Sequence, residues 1–164
     1  MLKFYEVDGD YIQYIKKYGD EKIPNIDYQK HKKFFCGVVL KINNFNYFAP
    51  VSSYNKKTHT TFLIKDKDKE SKKYVPISSL RFSFMFPCPV EFLSLKDFAK
   101  EDEKYRILLR KELHYCNSNI ERIEKLANVV YKLGLNEETR KKFNICNFKL
   151  LEEKCMEYIN SQRK

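Results

Sequence analysis

The sequence predicts one α+β domain over residues 1–164, a strongly bent, barrel-like antiparallel sheet covered on its apolar face by helices. Three observations predict it. Residues 1–95 hold short, closely spaced apolar runs rich in Tyr, Phe and Val, broken by Pro76, Pro87 and Pro89, a pattern of short strands in a bent sheet. Residues 96–164 change to a helical period. A hydrophobic fraction of 43% and an aromatic fraction of 15% in 164 residues provide for a real core.

In chain order, residues 1–7 alternate as a short strand. With Asp8 or Asp10 as N-cap, Tyr11, Ile12, Tyr14, Ile15 and Tyr18 then mark a helix ending near Gly19. After a loop containing Pro24, Phe34–Ile42 and Tyr47–Val51 flank the polar pair Asn43-Asn44 and read as a hairpin. Thr60–Lys65 is another strand, and the charge run KDKDKESKK reads as a solvated turn. Tyr74–Ile77, Leu80–Phe86 and Val90–Leu93 read as further strands. Leu109, Leu113, Cys116, Ile120, Ile123, Ala127 and Val130 advance by alternating four and three residues. One long helix results, ended by Gly134, with Arg110, Lys111, Glu121, Arg122 and Glu124 on its other side. A last helix runs from Phe148 to about Ile159, capped by Asn147.

Thirty-two Lys and Arg against 22 Asp and Glu give a net charge of +10, which favours a polyanionic partner; a generally lysine-rich surface is the plainer alternative. Cys36, Cys88, Cys116, Cys146 and Cys155 form no CxxC or Cys/His metal spacing and read as free thiols in a reducing cytoplasm. The opening MLKFYEVDGDY has no apolar signal-peptide core, and no run approaches a membrane span. A cytoplasmic location without membrane partners is expected. Histidines at 31, 59 and 114 stand far apart, the acidic pairs Asp66/Asp68 and Asp102/Glu103 lie in charged contexts, and no glycine-rich phosphate loop occurs. Neither metal nor cofactor is expected.

The candidate chemistry sits at the open ends of the hairpin. Tyr28, His31, Lys32 and Lys33 precede it; Ser52, Ser53 and His59 follow it. RNA carries its own nucleophile in the 2′-hydroxyl, so a metal-free site needs alignment, charge stabilisation and proton transfer. Lys33 supplies a cation and the hydroxyls of Ser52 and Ser53 donate to phosphate oxygens. Tyr28, His59 or a desolvated Lys33 handles protons, a choice the linear sequence leaves open.

The order Y-x4-K-x-F-x-G-V-V-L, then YFAPVSS, then a basic stretch ending in His59, resembles the ToxN/AbiQ family of type III toxin–antitoxin endoribonucleases. So do the opening KFYEVDGDYIQYIKKY, the helical YRILLRKELHY and the closing CNFKLLEEKCMEY. The resemblance covers nearly the whole chain in the same order. It implies a MazF/Kid-like, SH3-like barrel with added helices, and a metal-independent cut leaving a 2′,3′-cyclic phosphate and a 5′-hydroxyl. It carries cleavage roles onto Ser52, Ser53, Lys33 and Tyr28; beside these, His59 is a secondary candidate for the chemistry and Tyr11 for RNA contact. Tyr54 stands where the family commonly has proline, and the lead to His59 is one residue longer. The implied inhibitor is a tandem-repeat pseudoknot RNA that the toxin processes and holds in a closed ring; cellular or phage RNA is the substrate. Lys32, Lys56, Lys57, Arg106, Arg110 and Lys111 are the expected grip on RNA phosphates, and exposed tyrosines offer stacking surfaces. The alternatives are a non-catalytic basic RNA- or DNA-binding module, and a MazF-like toxin held by a protein antitoxin.

Overall fold

The computed structural model describes residues 1–28 and 31–163, main chain only at residues 27 and 28. Strand β1 (Lys3–Val7) leads into helix α1 (Gly9–Tyr18), whose N-cap Asp8 accepts from the backbone N–H groups of Asp10 and Tyr11. A two-residue-per-strand ribbon, β2 (Asp27–Tyr28) and β3 (His31–Lys32), precedes the long hairpin of β4 (Phe35–Ile42) and β5 (Phe45–Ser52). That hairpin closes through Asn43 and Asn44 at φ 53° and 65°, with Ile42 opposite Phe45. Asparagine tolerates the left-handed region such a two-residue turn demands.

The sheet continues through β6 (Thr61–Lys67), β7 (Tyr74–Arg81), β8 (Phe86–Pro87) and β9 (Leu93–Leu95). Its strand order is β6-β7-β5-β4-β1-β9, with β8 paired to β5 off that path, and every pairing is antiparallel. Two register shifts bend it, one between Gly37 and Leu40 in β4 and one between Ile64 and Lys65 in β6. Gly37 is required at its bend because an added Cβ would stand 2.1 Å from a ring carbon of Phe48.

The barrel expected from the sequence, MazF/Kid-like and SH3-like, is not formed: the sheet is open, with β6 and β9 as its two ends. The physical reason lies in how the edges are treated. β8 and β9 are only two and three residues long, and Pro87 and Pro89 cannot donate to a ladder. Helix α2 (Glu103–Asn117) lies against β6, where Lys111 pairs with Asp66 at 3.1 Å. Helices, not strand closure, bury the sheet.

The single long helix expected over residues 109–134 is two, α2 and α3 (Ile120–Gly134). The Asn119 backbone N–H turns to the Cys116 carbonyl and its side-chain amide takes the Tyr115 carbonyl instead, which ends the regular helix ladder, while the Ser118 hydroxyl adds a second donor at the His114 carbonyl. Leu80–Phe86 and Val90–Leu93 are likewise not continuous strands; a 3₁₀ turn occupies Phe82–Phe84 and another Val90–Phe92. After the short α4 (Glu137–Lys142), helix α5 (Phe148–Gln162) starts at its cap Asn147. It binds the core through Glu152, whose carboxylate accepts from the hydroxyls of Tyr47 and Tyr131 at 2.7 and 2.8 Å. All five cysteines are buried and unbridged. Among the described residues, no helix is long and apolar enough to cross a membrane.

Candidate active site

A cleft of about 560 Å³ opens where the start of β4, the end of β5, the end of β7 and one side of α2 meet. Lys16, Lys22, Lys32, Lys33 and Arg81 line it, against one carboxylate among the described residues, Glu112. Antiparallel pairing explains the meeting. The lead-in to β4 lies beside the end of β5, with Phe35 opposite Pro50, and β5 pairs onward to β7 through Val51–Leu80 and Ser52–Ser79.

Lys33 is fixed at both ends of its residue. Its backbone N–H donates to the Ile26 carbonyl at 2.7 Å and its Nζ to the Val51 carbonyl at 2.8 Å. Burial, and secondarily the charge of Arg81, brings its ammonium down to about 8. Ser52 ends β5; its Oγ accepts the Tyr54 N–H at 3.1 Å, which leaves the hydroxyl proton to donate elsewhere. Ser53 follows, exposed. Ser79 anchors the same turn by donating to the Tyr54 carbonyl at 2.5 Å. The fold thus brings Lys33, Ser52 and Ser53 to one cleft, with Lys32 exposed at its side.

One wall is a stack: the His31 ring lies 3.8 Å from that of Tyr105, interplanar angle 13°, with Nδ1 3.5 Å from Glu101. Glu101 also holds the buried Lys96 at 3.2 Å. Deeper in the cleft, Ser78 donates to the Glu112 carboxylate at 2.5 Å; burial raises that carboxyl and the hydrogen bond partly offsets it. Arg81, at the end of β7, has its guanidinium carbon 4.7 Å from the ring centroids of both Tyr54 and Phe84. Sequence reasoning missed Arg81 inside the apolar run LRFSFMF; a lone charge among so many buried residues was the available signal.

Other expected residues lie elsewhere. Tyr11, a secondary candidate for RNA contact, is fully buried, stacked on Phe92 with its hydroxyl donating to the Pro87 carbonyl. It is a core residue because α1 turns Tyr11, Ile12 and Ile15 inward together. His59 is exposed and packs edge-on against Phe143 at 5.4 Å, apart from the residues that line the cleft. Lys56 and Lys57 are exposed on the loop beyond Ser53; Arg110 and Lys111 are exposed on α2, and Arg106 is half-buried there. Asp66 already pairs with Lys111. The side chain of Tyr28 lies outside the described residues. Among the described residues, no three His, Cys, Asp or Glu side chains converge as a metal-binding group.

Comparison with known proteins gives this geometry a context. The family described as toxin ToxN of type III toxin–antitoxin systems matches residues 3–156. The chain is 33% identical over 173 residues to the endoribonuclease AbiQ of Lactococcus lactis subsp. lactis, covering 96% of this chain and 89% of that one. It is 31% identical to the endoribonuclease ToxN of Bacillus thuringiensis subsp. kurstaki, covering 95% and 84%. A solved structure of AbiQ, a lactococcal anti-phage endoribonuclease of a type III system, superposes with a TM-score of 0.80 at 31% identity over 98% and 99% of the chains. A second, from work on selective toxin inhibition by a non-coding RNA pseudoknot, superposes with a TM-score of 0.80 at 28% identity over 96% and 97%.

Proposed function

The chain belongs to the ToxN family of type III toxin–antitoxin toxins, and we propose that it is an endoribonuclease that cuts RNA at the cleft between β4, β5 and β7. One observation carries the reading: the Lys33 ammonium and the Ser52 and Ser53 hydroxyls share a cleft that holds, among the described residues, several cations and one carboxylate. Such a cleft suits a phosphodiester far better than a neutral ligand.

The reaction is a transesterification. The 2′-oxygen attacks phosphorus, its proton passes to a base, the bond to the 5′-oxygen breaks, and that oxygen takes a proton. The products are a 2′,3′-cyclic phosphate and a 5′-hydroxyl. The hydroxyls of Ser52 and Ser53 donate to the non-bridging oxygens, and the Lys33 ammonium stabilises charge as the phosphorane forms. Tyr28 positions RNA or takes part in proton transfer. No metal ion enters these steps.

The antitoxin is an RNA of tandem repeats, folded as pseudoknots, that the toxin cuts and then holds in a closed toxin–RNA ring; phage defence or plasmid maintenance is the setting. AbiQ is described as anti-phage, and a similar toxin as inhibited by an RNA pseudoknot, which supports the choice of partner. The exposed Lys56, Lys57, Arg110 and Lys111 and half-buried Arg106 grip its phosphates. Incubating the purified protein with RNA in excess chelator tests the reading. Wild type cuts and Lys33→Ala does not; activity that is lost in chelator and restored by magnesium contradicts it.

A further inference from the structure

We infer that Arg81 is a second catalytic cation of this cleft, its guanidinium donating to the non-bridging oxygens of the scissile phosphate that Lys33 also faces. The inference rests on the reading that the cleft cuts RNA, and three observations carry it.

The first is an unmet hydrogen bond. Among the described residues, the Nε of Arg81 is the one buried side-chain nitrogen or oxygen without a hydrogen-bond partner. Buried donors of this kind are rare in folded proteins, and a catalytic role is one of the explanations they call for.

The second is the contrast with cations that have carboxylate partners. Lys96, nearly inaccessible, has Glu101 at 3.2 Å and Glu6 at 3.8 Å; Lys22 has Asp20 at 3.4 Å; Lys111 has Asp66 at 3.1 Å. Among the described residues, neither Arg81 nor Lys33 has a carboxylate within ion-pair distance, and the charge of Arg81 acts on the Lys33 ammonium. Two partly buried like charges lining one cleft are unfavourable until an anion joins them. A phosphate oxygen pair fits the planar fork of a guanidinium, which a lysine cannot match.

The third is placement. Arg81 follows Leu80, which pairs with Val51, whose carbonyl holds the Lys33 ammonium. The rings of Tyr54 and Phe84 lie against the guanidinium at 4.7 Å each and hold it in place at the cleft wall. Tyr54 follows directly on Ser52-Ser53, so the element that offers the hydroxyls also orients the arginine.

The test compares wild type, Arg81→Ala and Arg81→Lys in single-turnover cleavage of an RNA oligonucleotide, with binding measured on its uncleavable analogue carrying a 2′-deoxy nucleotide at the cut. Arg81→Ala slows cleavage by about 10²–10³-fold, the loss typical of one donor to a developing oxyanion. Arg81→Lys slows it by about tenfold or more, because the charge remains but the fork does not. Affinity for the analogue falls by less than the cleavage rate, and millimolar guanidinium ion restores part of the Arg81→Ala rate. An arginine that merely packs between Tyr54 and Phe84 gives no such rescue. If wild type cuts and Arg81→Ala cuts within threefold of it, the inference is overturned while the RNase reading stands. If wild type does not cut, both fall. Should Arg81→Ala fail to fold, Arg81→Lys decides: a full rate overturns the inference.

Discussion

Replacing Lys33 by methionine should stabilise the protein while abolishing its activity. The wild-type ammonium ionises near pH 8 where an ordinary lysine does so near 10.5, mainly because it is buried and secondarily because Arg81 is close. At about 1.4 kcal/mol per pH unit, that gap amounts to about 3 kcal/mol of destabilisation wherever both folded and unfolded chains are charged. The open side of the cleft lets water screen part of it. Methionine also forfeits the hydrogen bond to the Val51 carbonyl, which contributes about 1 kcal/mol. A net gain of about 1–2 kcal/mol remains, or a rise in Tm of about 3–6 °C for a chain of this size. The pH dependence gives the signature. Between about pH 8 and 10.5 the unfolded chain holds the lysine proton and the folded chain does not, so wild-type stability rises through that window. The advantage of Lys33→Met is therefore full below pH 8 and gone above about 10.5. Thermal or urea melts of both proteins from pH 6 to 11 measure it. Equal stability at pH 7, or a difference that ignores pH, refutes the claim that a desolvated ammonium is held in the cleft.

Cleavage should decline above about pH 8 as the Lys33 ammonium loses its proton; a rate that keeps rising through pH 9 contradicts its cationic role. Ser53→Ala should slow cleavage by about 10²-fold or more with an unchanged melting temperature, since its side chain is exposed; wild-type rates from folded protein would remove Ser53 from the site. Gly37→Ala places a methyl group 2.1 Å from a Phe48 ring carbon and should cost about 1–3 kcal/mol or more, read in a urea melt; an unchanged midpoint means the bend is softer than described. Arg110→Ala should weaken RNA binding most at low salt and lower the slope of log affinity against log salt by about 1; parallel salt titrations check it, and an unchanged slope takes this side of α2 out of the interface.

Local chemistry was legible where it is written in neighbouring residues. Asn43-Asn44 between two apolar runs gave the β4–β5 turn, and Asn147 marked the start of α5, because both depend on what an asparagine side chain does to its own backbone. The same chemistry was overlooked at Ser118-Asn119, where an unbroken apolar period masked two side chains that end α2. Closure of the sheet was misjudged because it depends on non-local facts: β8 and β9 are too short, and α2 already occupies β6. Lys33 and Ser52-Ser53 were legible because a hairpin joins its own ends. Arg81 comes to the same cleft through β7, which pairs with β5 across more than twenty intervening residues, and no local pattern announces that pairing. Tyr11 and His59 lie apart from the cleft for opposite reasons. The first is an apolar ring on the inward face of α1, and the second sits in a turn aimed toward Phe143.

The chemistry of the cut ends tests the central claim most directly. Purified wild-type protein is incubated with a defined RNA in excess chelator, beside Lys33→Ala shown by its melt to be folded, and the fragment termini are analysed. The account predicts 2′,3′-cyclic phosphate and 5′-hydroxyl ends from wild type and intact RNA from the variant. Fragments carrying 3′-hydroxyl and 5′-phosphate ends, or equal cleavage by both proteins, would contradict it.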